Sequence, residues 1–170
     1  MASVLVIGYG NLDRADDGVA FHVVNALRVR LDQPPLADHQ SGLETLSGTV
    51  DSLFVRQLVP ELMETAAGYR RVVFVDAHVG DGRRELCCET LNPEYAPSPF
   101  THHLTPASFL AMTGALYGRT PEGFIVSVRG RGFDFTRDLS PGTISLVGPA
   151  TDRVLDLLMN ETACVQAPCG

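Results

Sequence analysis

The sequence predicts an α/β protein: a three-layer α/β/α sandwich with about five mostly parallel strands and helices on both faces. Three observations carry that prediction. Short apolar runs recur along the chain, segments of helical spacing separate them, and the strongest run, Arg71-Val72-Val73-Phe74-Val75-Asp76-Ala77, has the unbroken apolar character of a buried parallel strand. With 170 residues, no internal repeat and no linker, one domain is expected over 1–163, followed by a flexible tail at 164–170.

In chain order, Val4-Leu5-Val6-Ile7 is a buried strand that breaks into a tight turn at Gly8-Tyr9-Gly10-Asn11. From about Asp17 the spacing becomes helical. Val19, Val23, Ala26 and Leu27 share one face, with Arg28, Arg30 and Asp32 on the wet side. Asp16 and Asp17 suit the N-terminus of that helix, and Pro34-Pro35 ends it. Residues 36–50 read as a loop, 52–56 as a strand, and a short helix starts near Pro60 and closes at Gly68. After the strand at 71–77, Gly80-Asp81-Gly82 turns the chain into a fourth strand at 85–90. A loop with Pro93, Pro97 and Pro99 leads to Thr101-His102-His103 and a helix over 105–116. A fifth strand covers 124–128, and a last helix runs over 140–162 with a bend at Gly148-Pro149.

Composition narrows the function classes. The formal net charge of −7, without any basic tract, excludes a nucleic-acid backbone or an anionic membrane as partner. No apolar run reaches membrane-spanning length, and no basic leader precedes the first strand. All 13 basic residues are arginine, which removes the Walker phosphate loop, Schiff-base chemistry and any catalytic lysine. Four cysteines without a C-x-x-C spacing make a poor disulfide scaffold, so reduced thiols in a cytoplasmic protein are expected.

The candidate chemistry sits at strand ends, where open α/β sheets place their sites. Gly8-Tyr9-Gly10 first suggests a dinucleotide loop. The third glycine is missing, however (position 13 is Asp13), and Asp13, Asp16 and Asp17 would repel a pyrophosphate. An acidic loop favours a cation. Asp76 ends the most apolar strand, and His102 and His103 precede a helix. Two carboxylates and an imidazole at one edge could hold a divalent ion such as zinc or nickel. His78 is a further candidate ligand, and Arg129 and Arg131 are candidates for gripping a peptide carboxylate. Cys87 and Cys88 read as core thiols, and the G-x-S-x-G of a serine hydrolase is absent.

The opening VLVIGYGNLDRADDGVAFHVVNAL resembles the nickel–iron hydrogenase maturation endopeptidases, whose pattern is a strand, G-x-G-N, a short loop and D-[DE]-G-x-G. Ala20 replaces the last glycine. The strand ending Asp76-Ala77, the segment His102-His103-Leu104-Thr105-Pro106 and Leu139-Ser140-Pro141 extend the resemblance over most of the chain. It implies an endopeptidase that removes the C-terminal extension of a hydrogenase large-subunit precursor after nickel insertion. The nickel is supplied by that substrate, with zinc or another divalent ion able to occupy the site in vitro. By the same resemblance the metal ligands fall on Asp17, Asp76 and His102, with His103 the alternative, and Asp16 is a base or an orienting neighbour. Gly8, Gly10 and Asn11 would shape a substrate turn. Where the family has an aspartate and a Gly-Thr turn, this chain has Arg56 and Gln57, a substrate surface suited to a different extension peptide. A monomer is expected. The rival readings are a zinc-dependent small-amide hydrolase and a non-catalytic nickel-binding chaperone.

Overall fold

The structure is a computed structural model that describes residues 3–80, 84–95, 103–160 and 164. Five strands form one sheet: β1 (Val4–Tyr9), β2 (Val50–Val55), β3 (Arg71–His78), β4 (Leu86–Leu91) and β5 (Glu122–Arg129). Their spatial order is β2-β1-β3-β5-β4, parallel except for β4, which runs antiparallel at the edge beside β5. The helices are α1 (Val19–Arg30), α2 (Leu62–Ala67), α3 (Pro106–Tyr117) and α4 (Pro141–Met159).

Period-two alternation divides the sheet's side chains between two cores. Val4, Val6, Val73, Val75, Val126 and Val128 face α1 and α4, packing on Val23, Leu27, Val154 and Leu158. Leu5, Ile7, Val72 and Phe74 face α2 and α3, packing on Met63, Ala66, Phe109 and Leu110. The three-layer sandwich follows. Leu5, Ile7 and Phe74 are fully buried, and each contributes about 2 kcal/mol or more of apolar transfer free energy.

Several elements outrun their sequence signals. β1 and β5 each extend past their apolar runs, to Tyr9 and Arg129, because backbone pairing with a neighbour continues where hydrophobicity stops. Pro149 lies inside α4, which spans Pro141–Met159; residues 161–162 of the expected helix lie outside the described residues. Arg28, expected on the wet face, is buried. Its Nε donates to the Pro34 carbonyl at 2.7 Å and its Nη1 to Ser52 Oγ at 3.2 Å, tying α1 to the loop that leaves it and to β2.

The expectation of reduced thiols is overturned. Cys88 on β4 is disulfide-bonded to Cys164, their Cα atoms 5.7 Å apart; residues 165–170 of the expected tail lie outside the described residues. The inference to a cytoplasmic location rested on free thiols and loses that support. Among the described residues no helix is long and apolar enough to cross a membrane.

Candidate functional site

Strand order fixes where a site can form. The chain passes from β1 to β2 on one side of β1 and then crosses to β3 on the other, so the carboxyl ends of β1 and β3 part into a crevice. A cavity of about 430 Å³ opens there, lined by Tyr9, Gly10, Asn11, Arg14, Asp17, Arg56, Gln57, Leu58, Asp76, His103 and Leu104.

Each acidic residue reaches the crevice for a local reason. Gly10 turns the chain with φ of 152°, and a Cβ on it would lie 2.0 Å from the Asp17 carbonyl oxygen, so only glycine lets the two loop segments close. Asn11 N–H then donates to Asp17 Oδ2 at 2.9 Å, fixing that carboxylate at the end of a single 3₁₀ turn, Ala15–Gly18, that leads into α1. Asp76 follows the apolar run of β3 on the face that carries Ile7 and Phe74. Tyr9, one residue beyond the Gly8–Val75 pair, projects on that face too. The Tyr9 hydroxyl and the Ala77 N–H (2.7 Å) both donate to the Asp76 carboxylate.

Electrostatics marks the pair. Burial, reinforced by the charge of Asp17, pushes Asp76 up to about 6, against the pull of the Tyr9 and Ala77 hydrogen bonds. Tyr9 is lifted far above the usual phenol range, first by burial and then by the neighbouring Asp76 charge. Two carboxylates close enough to repel, one of them half-buried, form a place that a cation relieves. Aspartate oxygens with an imidazole nitrogen nearby suit zinc or nickel.

Of the histidines, His103 lines the cavity, presented by the start of α3, where Thr105 Oγ1 accepts from Ser108 N–H at 3.2 Å and Pro106 occupies the first turn. His102 lies outside the described residues. Among the described residues no three His, Cys, Asp or Glu side chains are gathered tightly enough to hold an ion. The acids therefore meet, and His103 shares their cavity without closing a three-ligand set. His78 does not join them: its Nδ1 is 2.9 Å from Ser127 Oγ and its Nε2 2.8 Å from the Arg84 carbonyl, so both ring nitrogens are engaged elsewhere.

Asp16 points away from the cavity. It is fully buried and ties the β5–α4 connection to the loop. Its Oδ2 accepts from Arg131 N–H (2.7 Å), Gly132 N–H (2.9 Å) and the Ser140 hydroxyl (2.7 Å), and Thr143 Oγ1 lies 2.9 Å away. Its Oδ1 accepts from Ser140 N–H at 2.7 Å. Burial raises Asp16, but the Ser140 hydroxyl and the N–H groups of Arg131, Gly132 and Ser140 outweigh it and hold the carboxyl at about 2. A carboxylate so held is a poor base, and the geometry leaves Asp16 the orienting role.

Of the residues expected to form a substrate surface, Gly10, Asn11, Arg56 and Gln57 line the cavity and Gly8 does not. Its missing side chain admits α1 instead, since a Cβ there would lie 2.8 Å from Val24 Cγ2. Arg129 and Arg131 are both paired with Glu85 and are not available as a carboxylate grip. Tyr9 and Arg14 were not anticipated. Tyr9 could have been found, because strand alternation and parallel register put it on the Asp76 face; Arg14 carries no comparable signal.

Solved structures share this fold. The hydrogenase maturating endopeptidase HybD from E. coli matches at 22% identity with a TM-score of 0.66, over 92% of this chain and 91% of that one. The NiFe hydrogenase maturation protease HybD from Thermococcus kodakarensis matches at 17% identity with a TM-score of 0.64, over 92% and 99%. The maturation protease HycI from the same organism matches at 14% identity with a TM-score of 0.65, over 94% of each chain. At these identities the likeness establishes the shared α/β architecture. No family model and no curated protein matches the chain.

Proposed function

We propose that the protein is an endopeptidase that trims the C-terminal extension from a nickel–iron hydrogenase large-subunit precursor once nickel is in place. The observation that carries this reading is the meeting of Asp17 and Asp76, with His103, around one cavity at the switch point of a fold shared with maturation endopeptidases.

Asp17 and Asp76 bind the precursor's nickel, with His102 or His103 as the nitrogen ligand. The nickel arrives with the substrate and, bound, anchors the scissile segment and polarises its carbonyl. The protein's own residues do the rest. Tyr9 orients Asp76 through its hydroxyl, and the Asn11 N–H holds Asp17. Burial and the Asp17 charge lift Asp76 to about 6 while no cation is bound; the nickel it ligates would hold it ionised, so Asp76 serves as a ligand whose charge the metal relieves. Asp16 holds the loop that places Asp17. Gly10, Asn11, Arg56 and Gln57 form the substrate surface.

The test is incubation of the purified protein with nickel-loaded precursor, read by intact mass. The expected product is the precursor shortened by its extension, with no cleavage after nickel is chelated from the precursor. Asp17→Asn, Asp76→Asn and the double variant His102→Ala/His103→Ala should each leave a folded, inactive protein. Trimming of a nickel-free precursor, or full processing by all three variants, would reject the reading.

A further inference from the structure

Two arginines stand over the acidic pair. Arg14, exposed in the β1–α1 loop, and Arg56, exposed just after β2, line the same cavity as Asp17 and Asp76. Among the described residues neither guanidinium has a carboxylate partner or a hydrogen bond. Other arginines of this surface are differently placed: Arg129 and Arg131 pair with Glu85, and Arg137 pairs with Asp13 and Asp38. A second cavity of about 360 Å³ adjoins the first and shares Gly10, Asn11 and Arg56 with it. Arg56 therefore lines both cavities.

We propose that Arg14 and Arg56 bind a carboxylate of the extension peptide, so that the segment held beside the acidic pair is itself acidic. The inference rests on the endopeptidase reading and specifies its substrate. A ligand filling this cavity must offer a cation to Asp17 and Asp76 and an anion to the two guanidiniums. A metal-bearing precursor with an acidic extension offers both. The guanidinium fork matches carboxylate geometry in two parallel hydrogen bonds. The chain's net charge of −7 would discourage an acidic peptide at long range, but salt screens that field within about 8 Å, and the contact pair decides. The carboxylate is either an aspartate or glutamate side chain of the extension or the chain terminus of the precursor.

The experiment measures processing of nickel-loaded precursor by the wild-type protein and by Arg14→Gln, Arg56→Gln and Arg56→Glu. All three variants change exposed side chains, and their folding is checked by thermal melts. Each glutamine variant should raise KM about tenfold with kcat nearly unchanged, the effect of one lost charge-assisted contact, and Arg56→Glu should raise it further. Precursors with single Asp→Asn or Glu→Gln changes in the extension, and one lengthened by a short neutral tail, locate the source. Insensitivity of Arg56→Gln to one of the amide changes, with rescue of Arg56→Glu by lysine there, identifies a side chain. Loss only on lengthening identifies the terminus. If the wild-type protein cleaves and the arginine variants keep its KM, the inference falls while the endopeptidase reading stands. If the wild-type protein cleaves no nickel-loaded precursor, both fall.

Discussion

Asp76→Asn is expected to stabilise the metal-free protein above about pH 7 and to destabilise it below about pH 4. The carboxyl of Asp76 is lifted from its ordinary 3.8 to about 6, chiefly by burial. Each factor of ten in that equilibrium is worth 1.36 kcal/mol, so holding the side chain ionised in the folded state costs about 2–3 kcal/mol. Because the folded value is the raised one, Asp76's favourable share of stability is complete below pH 4. It drains away as pH rises through 6. Asparagine never ionises and escapes that cost. It keeps one acceptor oxygen for two donors, the Tyr9 hydroxyl and the Ala77 N–H, and so forfeits about 1 kcal/mol at every pH. The balance is a gain of about 1–2 kcal/mol near pH 8 and a loss of about 1 kcal/mol near pH 4. Urea unfolding of both proteins with EDTA present, at those two pH values, reads the difference directly. A stability difference that keeps the same sign and size at both would refute the account of Asp76 as a carboxylate held in an unfavourable place. Adding nickel or zinc at pH 8 should then stabilise the wild-type protein far more than the variant.

Other perturbations separate framework from site. Asp16→Ala strands the N–H groups of Arg131, Gly132 and Ser140, and should cost about 4 kcal/mol or more in urea unfolding. The wild-type carboxyl, held at about 2 by its hydrogen bonds, supplies about 2 kcal/mol that is present above pH 4 and lost as the pH falls toward 2; an acid titration of the alanine variant should lack that step. Tyr9→Phe removes a hydrogen bond that favours the charged form of Asp76, so the acid limb of the processing pH profile should move to higher pH, while an unmoved limb would detach Tyr9 from Asp76. Reducing the Cys88–Cys164 bond, which spans 76 residues of sequence, should lower stability by about 4 kcal/mol on the chain-entropy view; an unchanged urea midpoint in reductant would show that the link contributes nothing to the fold.

What was legible in the sequence was whatever depends on near neighbours. The apolar run of β3 and the proline and glycine signals around α2 and α3 are local, and each element formed within a few residues of its expected place. The acidic loop and Asp76 were legible as strand-end features, since parallel sheets put such positions at one rim. The failures are non-local. Nothing near Arg28 tells that Pro34 and Ser52 will surround its guanidinium, and nothing near Asp16 tells that its acceptors will be used by a connection more than 100 residues away. Cys88 and Cys164 read as unrelated because only the edge position of β4 brings them together.

That asymmetry bears on how the two adjacent aspartates divide their work. In sequence Asp16 and Asp17 are equivalent: same side chain, same loop, same helix start. A 3₁₀ turn advances about 120° per residue, so consecutive side chains leave in different directions. One enters the interior beneath the β5–α4 connection, and the other faces the crevice. The buried one is saturated with donors and stays ionised at any ordinary pH, which suits a fastening. The outward one lies beside Asp76 and, with only the Asn11 N–H holding Oδ2, faces the cavity where a ligand would sit. Exchanging the two environments is not possible by mutation, but the division predicts distinct phenotypes. Asp16→Asn should lower the unfolding midpoint, with processing falling in proportion to the folded fraction. Asp17→Asn should leave the midpoint nearly unchanged and abolish processing. If both variants unfolded alike, the fastening and the site could not be told apart, and the assignment of Asp17 to the metal would fail.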